Sequence, residues 1–303
     1  MALLSCIREG ANGFDGRLGV AVKHLGSGEA ASLNGDELFP TASVFKVPVI
    51  VELYRQVEAG TIRLDERIIL SEEDKVPGSG VLKELSPGFE ISIRDLVELM
   101  MIVSDNTATD LIAETVGMDN VNSTLRHLGL EKTAVVADCR DILFDLIGLN
   151  DIPDEEKTVG LFRERRRGKT IGGSWALAVE ENDVTTPNEM LRLLEMVVKG
   201  AAAGRESCDA ILATMLRCQT GGYRIGKYLP KEAVEVADKT GSLPGIRNNV
   251  AVVTLLDGRG RYILSCFTKE AEDEYAAEEV IAQVSRNIYD YFREKEGASS
   301  AGS

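Results

Sequence analysis

Ser43 and Lys46 are the first residues of this sequence whose types and spacing could do chemistry together. They stand three positions apart in the stretch PTASVFKVPVI, residues 40–50, which is otherwise mostly apolar. An ammonium group that leaves water without a partner is costly, so this lysine needs a reason to be there. A lysine one helical turn after a serine could accept the hydroxyl proton if burial lowers the lysine pKa. The alternative is a serine that only caps the helix.

The motif SDN, from Ser104 to Asn106, lies between two predicted helices. These residue types are common as capping side chains in a turn that ends a helix, which is one interpretation. In the other interpretation, the hydroxyl of Ser104 relays a proton, while Asn106 donates to a substrate amide and helps to hold Lys46. This motif alone does not decide between the two.

The motif KTGS, from Lys239 to Ser242, lies on a predicted edge strand. It is typical either of a solvated lysine beside a bend at Gly241 or of a strand that pairs with an extended substrate. In the second case Lys239 and Arg247 attract a substrate carboxylate. Gly241 then lets the substrate approach, and the backbone N–H groups of Ser43 and Ser242 form an oxyanion hole.

Hydrophobic periodicity predicts the elements that must position these motifs. Alternating patterns predict strands near both ends of the chain, at 17–25, 31–39, 233–242, 248–256 and 261–269. Three- and four-residue spacing predicts a short helix at the start of the chain, a long helix that closes it, and helices between the strands over 43–60, 92–104, 106–117, 118–129, 185–200 and 205–218.

These elements predict an α+β fold, a three-layer α/β/α sandwich around an antiparallel sheet of about five strands built from both termini, with an all-helical domain inserted. Residues 1–40 and 220–303 are expected to form the sheet domain, and residues 41–219 the helical domain. The active site would then lie at the interface of the two domains.

Bulk composition narrows the range of partners. The 303 residues carry a formal net charge of −15, which argues against nucleic acid or an anionic membrane as the main partner. The two histidines, His24 and His127, have no obvious ligand companions, so neither a metal nor a cofactor is expected. The N-terminus shows no signal-peptide pattern, so we expect a cytoplasmic protein, although the mature form of an exported protein would look the same. The oligomeric state is not predicted.

In this order along the chain, S-x-x-K, SDN and KTG resemble the signature of the penicillin-recognising serine hydrolases, the class A β-lactamases and penicillin-binding proteins. The resemblance extends from FPTASVFKVPV through DLVELMMIVSDNTATDLI and NDVTTPNEMLRLL to ADKTGSLPGIRNNVAVV. It implies the two-domain fold of that superfamily and an acyl-enzyme on a serine. The resemblance also implies a role for each motif residue. Ser43 would be the nucleophile, Lys46 its activator, Ser104 a proton relay and Asn106 a contact to the substrate amide. Lys239 and Thr240 would lie on the side of the substrate carboxylate, and Arg247 would bind an anion.

The resemblance fails in the Ω loop, the segment before the helix that begins with TTP. Class A β-lactamases carry E-x-x-L-N there, and its glutamate positions the hydrolytic water. Residues 131–185 are longer than that loop and lack this string. The segment also holds four arginines between positions 163 and 167, predicted either as part of a helical hairpin over the active-site mouth or as a lid that selects an anionic substrate. The carboxylates that could replace the glutamate are Asp138, Asp141, Glu155, Glu156 and Glu164.

The sequence therefore predicts a serine hydrolase that acts on β-lactams or on a related small amide or ester that carries a carboxylate. Because the usual activator of the deacylating water is missing, the alternative is a penicillin-binding or sensing protein that is acylated at Ser43 with little turnover. A third hypothesis, a scaffold without activity, is opposed by the presence of all three motifs.

Overall fold

Strands from the two ends of the chain form one antiparallel sheet in the computed structural model, which describes residues 2–149, 151–167 and 182–297. The order across this five-stranded sheet is β2–β1–β9–β8–β7, so β7 is an edge strand, while β3 pairs with β6 and β4 with β5 outside the sheet. In chain order the strands are β1 (Arg17–His24), β2 (Ala30–Leu33), β3 (Phe39–Pro40), β4 (Arg67–Ile69), β5 (Glu90–Ser92), β6 (Val184–Thr185), β7 (Val234–Leu243), β8 (Ile246–Leu255) and β9 (Gly260–Lys269).

A tight turn joins β7 to β8 and fixes the position of Arg247. The two strands pair antiparallel with Ser242 opposite Arg247, which leaves Pro244 and Gly245 as the turn. Gly245 has a φ of 71°, a left-handed conformation that glycine adopts readily. The register therefore sets Arg247 beside the end of β7 that carries the KTGS motif.

Helices cover both faces of the sheet. Apolar positions of α1 and α10 pack on one face, and those of α2, α3, α4, α8 and α9 form a second core that reaches the other face through Val250, Ile263 and Phe267. In chain order the helices are α1 (Leu3–Gly10), α2 (Lys46–Glu58), α3 (Ile93–Ile102), α4 (Asn106–Val116), α5 (Met118–His127), α6 (Cys139–Leu146), α7 (Val159–Arg166), α8 (Pro187–Lys199), α9 (Arg205–Met215) and α10 (Glu274–Gly297).

The predicted α+β fold with its antiparallel sheet is confirmed. Side chains cap two of the predicted helices: Ser92 accepts from the N–H of Asp95 at the start of α3, and Thr186 accepts from the N–H of Glu189 at the start of α8. The division into a sheet domain and a helical domain stays a prediction.

The described residues of the segment between 131 and 185 include two helices, α6 and α7, which agrees with the predicted hairpin. Residues 150 and 168–181 of this segment lie outside the described residues. Among the helices that are described, none has both the length and the apolar character that a membrane span requires.

Candidate active site

Ser43 lies in a short 3₁₀ turn, Ala42–Phe45, and α2 begins only at Lys46. The sequence predicted a continuous helix from Ser43, whereas the chain enters this turn through Ala42 with a φ of 44°. Alanine rarely occupies this left-handed region, and such strain persists where the surrounding structure fixes it, often at active sites. Ser43 is partly exposed and lines a cleft.

The side chain of Lys46 is fully buried and holds the SDN motif in place. Its Nζ donates to the backbone oxygen of Ser104 at 2.9 Å, to Ser104 Oγ at 3.0 Å and to Asn106 Oδ1 at 3.0 Å. Three acceptors match the three N–H groups of an ammonium. Burial lowers the pKa of Lys46 below its ordinary value, because the charged form loses its hydration. The lysine is thus satisfied by partners and is also shifted toward the neutral form that can accept a proton.

Ser104 joins the two lysines of the predicted site. Its Oγ accepts from Lys46 Nζ at 3.0 Å and from Lys239 Nζ at 3.1 Å. Since a hydroxyl oxygen can accept two hydrogen bonds, its own proton remains available to a third group. Ser104 has a φ of 56°, so this residue, like Ala42, is held in the left-handed region.

A loop that the sequence analysis did not assign to the site packs against Asn106. Ser79 Oγ donates to Asn106 Oδ1 at 3.1 Å and to the backbone oxygen of Ser104 at 2.7 Å. The Nδ2 group of Asn106 donates to the backbone oxygen of Pro77 at 2.9 Å. A Cβ at Gly78 would lie 2.6 Å from the same Nδ2, so only glycine fits there. The stretch VPGSG is recognisable in sequence as a loop but carries no signal for this contact.

Asp105, the middle residue of SDN, has a structural role. It caps α4 by accepting from the N–H of Ala108 at 3.0 Å, and its other oxygen accepts from the N–H of Leu82 at 2.9 Å. A Cβ at Gly80 would overlap this carboxylate, at 2.2 Å from its carbon. The capping interpretation of SDN therefore holds for Asp105, while Ser104 and Asn106 face Lys46.

Lys239 is fully buried, which excludes the interpretation as a solvated strand lysine. Its Nζ donates to Ser104 Oγ and, at 2.8 Å, to the backbone oxygen of Thr240. Burial, and next the charge of Lys46, lower the pKa of Lys239 to about 7. Thr240 lines the cleft, and its hydroxyl lies 2.6 Å from that of Thr220.

Gly241 allows β7 to approach the turn that carries Ser43. A Cβ at this position would lie 2.5 Å from the backbone oxygen of Thr41 and 3.1 Å from the backbone nitrogen of Ser43. From the sequence, this glycine is expected to make room for a substrate. In the structure it makes room for the backbone of Thr41 and Ser43.

Arg224 is a buried arginine beside the site that no sequence signal identified. Its Nη1 donates to the backbone oxygens of Gly241 at 2.9 Å and Asn248 at 2.7 Å, and its Nη2 donates to Ser242 Oγ at 2.6 Å. Burial lowers the pKa of Arg224, and an ion pair with Glu278 at 3.1 Å opposes this shift. Arg224 thus fixes the strand end that carries Ser242.

Arg247 lines the cleft, as its expected role requires, but two carboxylates already contact it. It is paired with Glu274, and its Nε lies 3.4 Å from Glu278 Oε1. Its Nη1 donates to the backbone oxygens of Leu243 at 2.9 Å and Ile246 at 2.7 Å. A substrate carboxylate at Arg247 would compete with Glu274, whose side chain is 43% exposed.

The cleft has a volume of about 370 Å³ and brings Ser43, Ser104, Asn106 and Thr240 together with Ser242 and Arg247. Lys46 and Lys239 lie behind these residues, in contact with Ser104. The part of the cleft formed by the 131–185 segment is mainly apolar, with Ile142, Leu143, Leu146, Ile147 and Phe162 in its wall.

The carboxylates that the sequence offered as replacements for the Ω-loop glutamate do not line the cleft in the described part of the chain. Asp138 caps α6 by accepting from the N–H of Asp141 at 2.8 Å, and Asp141 pairs with Lys157 at 2.8 Å. Glu155, Glu156 and Glu164 are exposed to solvent.

Cys139 is the polar residue that this segment contributes to the cleft near Lys46. Asp110 holds the start of α6 by accepting from the N–H groups of Cys139 at 2.8 Å and Arg140 at 2.9 Å. Burial, followed by the charge of Asp110, raises the pKa of the Cys139 thiol well above its ordinary value. The thiol is therefore neutral near pH 7 and is a poor base.

Within the described residues, no cluster of three or more His, Cys, Asp or Glu side chains is arranged to hold a metal ion. What the arrangement can do chemically is nucleophilic substitution at a carbonyl, with a serine, a lysine of lowered pKa and a hydroxyl between two amines.

The profile of the beta-lactamase enzyme family matches residues 3–292 of the chain. The chain is 23% identical over 288 residues to β-lactamase BRO-1 of Moraxella catarrhalis, covering 92% of this chain and 81% of that protein. It is 27% identical over 274 residues to β-lactamase L2 of Stenotrophomonas maltophilia, covering 89% and 80%.

The fold is similar to solved structures over nearly its whole length. The β-lactamase of Sphaerobacter thermophilus DSM 20745 superimposes with a TM-score of 0.78 at 30% identity, covering 97% of both chains. PBP-A superimposes with a TM-score of 0.78 at 24% identity, covering 96% of both chains, which supports the fold alone. On these matches and the geometry above, the chain belongs to the beta-lactamase enzyme family and is a serine hydrolase of the β-lactamase type.

Proposed function

We propose that this enzyme hydrolyses β-lactams, or related amides or esters that carry a carboxylate, through an acyl-enzyme on Ser43. The observation that carries the proposal is the contact chain from Lys46 through Ser104 to Lys239, because it links a buried base to a relay and to a cation. Each of these side chains comes from a different one of the three motifs, and their convergence behind one cleft supports a joint role.

In the acylation step, Lys46 in its neutral form accepts the proton of the Ser43 hydroxyl, and Ser43 Oγ bonds to the substrate carbonyl carbon. The backbone N–H groups of Ser43 and Ser242 stabilise the negative charge that develops on the carbonyl oxygen. The carbon–nitrogen bond then breaks, and the leaving nitrogen takes a proton that passes from Lys46 through Ser104 Oγ. The 3.0 Å contact between Lys46 Nζ and Ser104 Oγ supports this route.

The substrate carboxylate is expected at the β7 end of the cleft. Lys239, Thr240 and Arg247 supply a cation, a hydroxyl and a second cation there. Charge-assisted hydrogen bonds to a carboxylate are stronger than neutral ones, so these groups favour an anionic substrate despite the net charge of −15.

The test is a hydrolysis panel of nitrocefin, penicillins and small p-nitrophenyl esters with native protein and Ser43→Ala. Ser5→Ala, on the exposed face of α1, is the matched control. We expect Ser43→Ala to abolish turnover of every compound that the native protein hydrolyses and Ser5→Ala to leave turnover unchanged. Equal rates in native protein and Ser43→Ala would refute the proposal.

A second candidate function, a penicillin-binding or sensing protein with little turnover, is favoured by one observation. The wall of the cleft that comes from the 131–185 segment is apolar apart from Cys139 and Arg166, so within the described residues it offers no carboxylate to activate a water. Intact-mass measurement after mixing with benzylpenicillin separates the two candidates. Rapid return to the native mass supports the hydrolase, and an adduct that persists for hours supports the sensor.

A further inference from the structure

A second cavity of about 390 Å³ adjoins the cleft that holds Ser43. The two cavities share Gly78, Phe162 and Arg166 in their walls. Phe162 and Arg166 are four residues apart on α7, so one face of this helix borders both cavities. A molecule in the cleft could therefore extend past Arg166 into the second cavity.

The second cavity is strongly cationic. Lys83, Arg163 and Arg167 line it together with Arg166. Glu84 contacts two of these cations, with its Oε1 at 2.5 Å from Arg163 and 3.9 Å from Lys83 Nζ. In the part of the chain that the structure describes, Arg166 and Arg167 are not paired with any carboxylate, so positive charge remains in excess in a protein whose net charge is −15.

Hydrogen bonds and packing contacts give the order of groups along the cleft. Arg247 and Thr240 belong to the β7 end, and Lys239 bonds Ser104 from that end. On the other side Lys46 donates to Asn106, whose Nδ2 lies 2.6 Å from the position that a Cβ of Gly78 would take, and Gly78 lines the second cavity. The contacts therefore run from Lys239 through Ser104, Lys46 and Asn106 to Gly78, and the second cavity lies at the Gly78 end.

This order relates the cavity to one side of a substrate. A substrate whose first carboxylate lies near Lys239 and whose carbonyl lies at Ser43 directs its acyl substituent toward Asn106 and Gly78. That direction leads into the second cavity. The inference rests on the proposed function, which sets the orientation of the substrate in the cleft.

We propose that the enzyme's preferred substrates carry a second carboxylate on the acyl side, and that Arg166 and Arg167 bind it. The positions of the arginines on α7 indicate that Arg166 and Arg167 bind a ligand rather than only stabilise the helix. Basic residues in the last turn stabilise a helix through its dipole, and Arg165 does so as well as Arg166. Arg165, however, lines neither cavity, whereas Arg163, Arg166 and Arg167 all do.

The test compares benzylpenicillin with carbenicillin, which differs from it by one carboxylate on the acyl side chain. The second-order rate constant of acylation is measured for both compounds by rapid acid quench and intact-mass spectrometry. We expect the native protein to prefer carbenicillin by about threefold to tenfold, a range typical of partly exposed charge pairs. This ratio should fall toward one in Arg166→Ala/Arg167→Ala and at high salt, and should keep its native value in Arg165→Ala.

The possible outcomes distinguish carboxylate binding in the second cavity from an effect of the electrostatic field of the whole protein. A native ratio near one, or a ratio that the double variant leaves unchanged, overturns the inference. So does an equal fall in Arg165→Ala, since the effect would then reflect bulk charge. Thermal melting of each variant checks that it is folded.

A binding measurement tests carboxylate recognition by Arg166 and Arg167 without relying on acylation of Ser43. If neither compound acylates Ser43, the proposed action on penicillins fails, and calorimetric titration of Ser43→Ala with the same two compounds then tests the second cavity on its own. The inference is supported if Ser43→Ala binds carbenicillin more tightly than benzylpenicillin and if this difference is lost when Arg166→Ala/Arg167→Ala is added. Equal affinities, or no binding of either compound, overturn it.

Discussion

Ser104 shares its hydroxyl oxygen between two buried amines, those of Lys46 and Lys239. The separations of 3.0 Å from Lys46 and 3.1 Å from Lys239 place both amines close to one oxygen. Two like charges in a low-dielectric site repel each other, which favours the neutral form of at least one amine. Burial lowers the pKa of both lysines, as the proposed role of Lys46 as a base requires.

The pKa of Lys239, lowered to about 7 by burial and by Lys46, predicts a pH dependence. Below about pH 7 the folded protein keeps this cation, and above it the cation is lost while an unfolded lysine would stay protonated to about pH 10. We therefore expect acylation by a penicillin, relative to a neutral p-nitrophenyl ester, to fall about tenfold between about pH 6 and about pH 9.

Lys239→Arg is the control for this profile, because a guanidinium stays charged over the whole range. The ratio of penicillin to ester acylation should become flat in this variant. If the native ratio is already flat, Lys239 does not supply the charge that binds the carboxylate.

Cys139 lines the cleft near Lys46, and in its described residues the 131–185 segment places no carboxylate in the cleft wall. We predict that Cys139→Glu speeds deacylation, because a glutamate can activate the water that the neutral thiol cannot. A positioned general base contributes about 10²–10⁴-fold, so an unoptimised one should give about 10-fold to 100-fold. Cys139→Gln has the same size without the charge, and an equal gain in both variants would contradict the explanation. The rate is measured as the decay of the penicillin adduct.

The three motifs could be recognised from sequence because their residue types and spacing, taken together and in this order along the chain, match a known signature. Ser79 and Arg224 could not, because their roles depend on contacts with backbone oxygens and side chains far away in the chain. Cys139 was also missed, since a single cysteine without a partner carries no spacing signal.

At the scale of elements, the site depends on how closely β7 lies against the 3₁₀ turn that contains Ser43. Gly241 and the left-handed Ala42 permit this approach, and Arg224 bonds the backbone oxygen of Gly241 from the other side. The distance between Ser43 and Ser242, whose backbone N–H groups form the proposed oxyanion hole, is set by this packing rather than by either residue alone.

Gly241→Ala should therefore impair acylation by separating β7 from the turn. Its Cβ would lie 2.5 Å from the Thr41 backbone oxygen, so the strand must shift. Misplacement of reacting groups by about 1 Å can lower rates by about 10²-fold, and we expect a loss of that order. Gly222→Ala, where a Cβ meets no heavy atom within 4 Å, is the control and should keep the native rate. Native-like acylation in Gly241→Ala would show that the approach is not needed.

The helices and strands that carry the motifs were predicted well, because their apolar periodicity is long and regular. The 3₁₀ turn before α2 was not predicted, because the apolar pattern from Val44 onward is compatible with a 3₁₀-helix and with an α-helix. The positions of α6 and α7 over the cleft also needed the structure, because their apolar side chains pack on a site formed by distant segments.

At the scale of the molecule, the sheet joins the first 33 residues to residues 234–269. The layer of α1 and α10 buries Ile7, Ile281 and Val284 on one face, while Ser43 is linked to the opposite layer through α2. The fold class was predictable because the strand patterns lie at both ends of the chain and the helical patterns lie between them, the order expected of a sheet built from both termini. Stability and chemistry should therefore be separable by mutation.

Ile281→Ala tests this separation. The side chain is fully buried, so its truncation should lower the free energy of unfolding by about 2–5 kcal/mol. Acylation of the folded protein should stay near the native rate, because Ile281 contacts the layer away from Ser43. Denaturant unfolding measures the first quantity, and Gln283→Ala, exposed on the same helix, should change it by less than about 0.5 kcal/mol. A large loss of acylation rate in folded Ile281→Ala would argue against the separation.

The most direct test of the central claim is the mass of the protein after a short reaction with benzylpenicillin and an acid quench. The account predicts that native protein gains the mass of one penicillin, that peptide mapping places it on Ser43, and that Ser43→Ala gains nothing. An adduct of equal amount on Ser43→Ala, or turnover at the native rate by that variant, would contradict it.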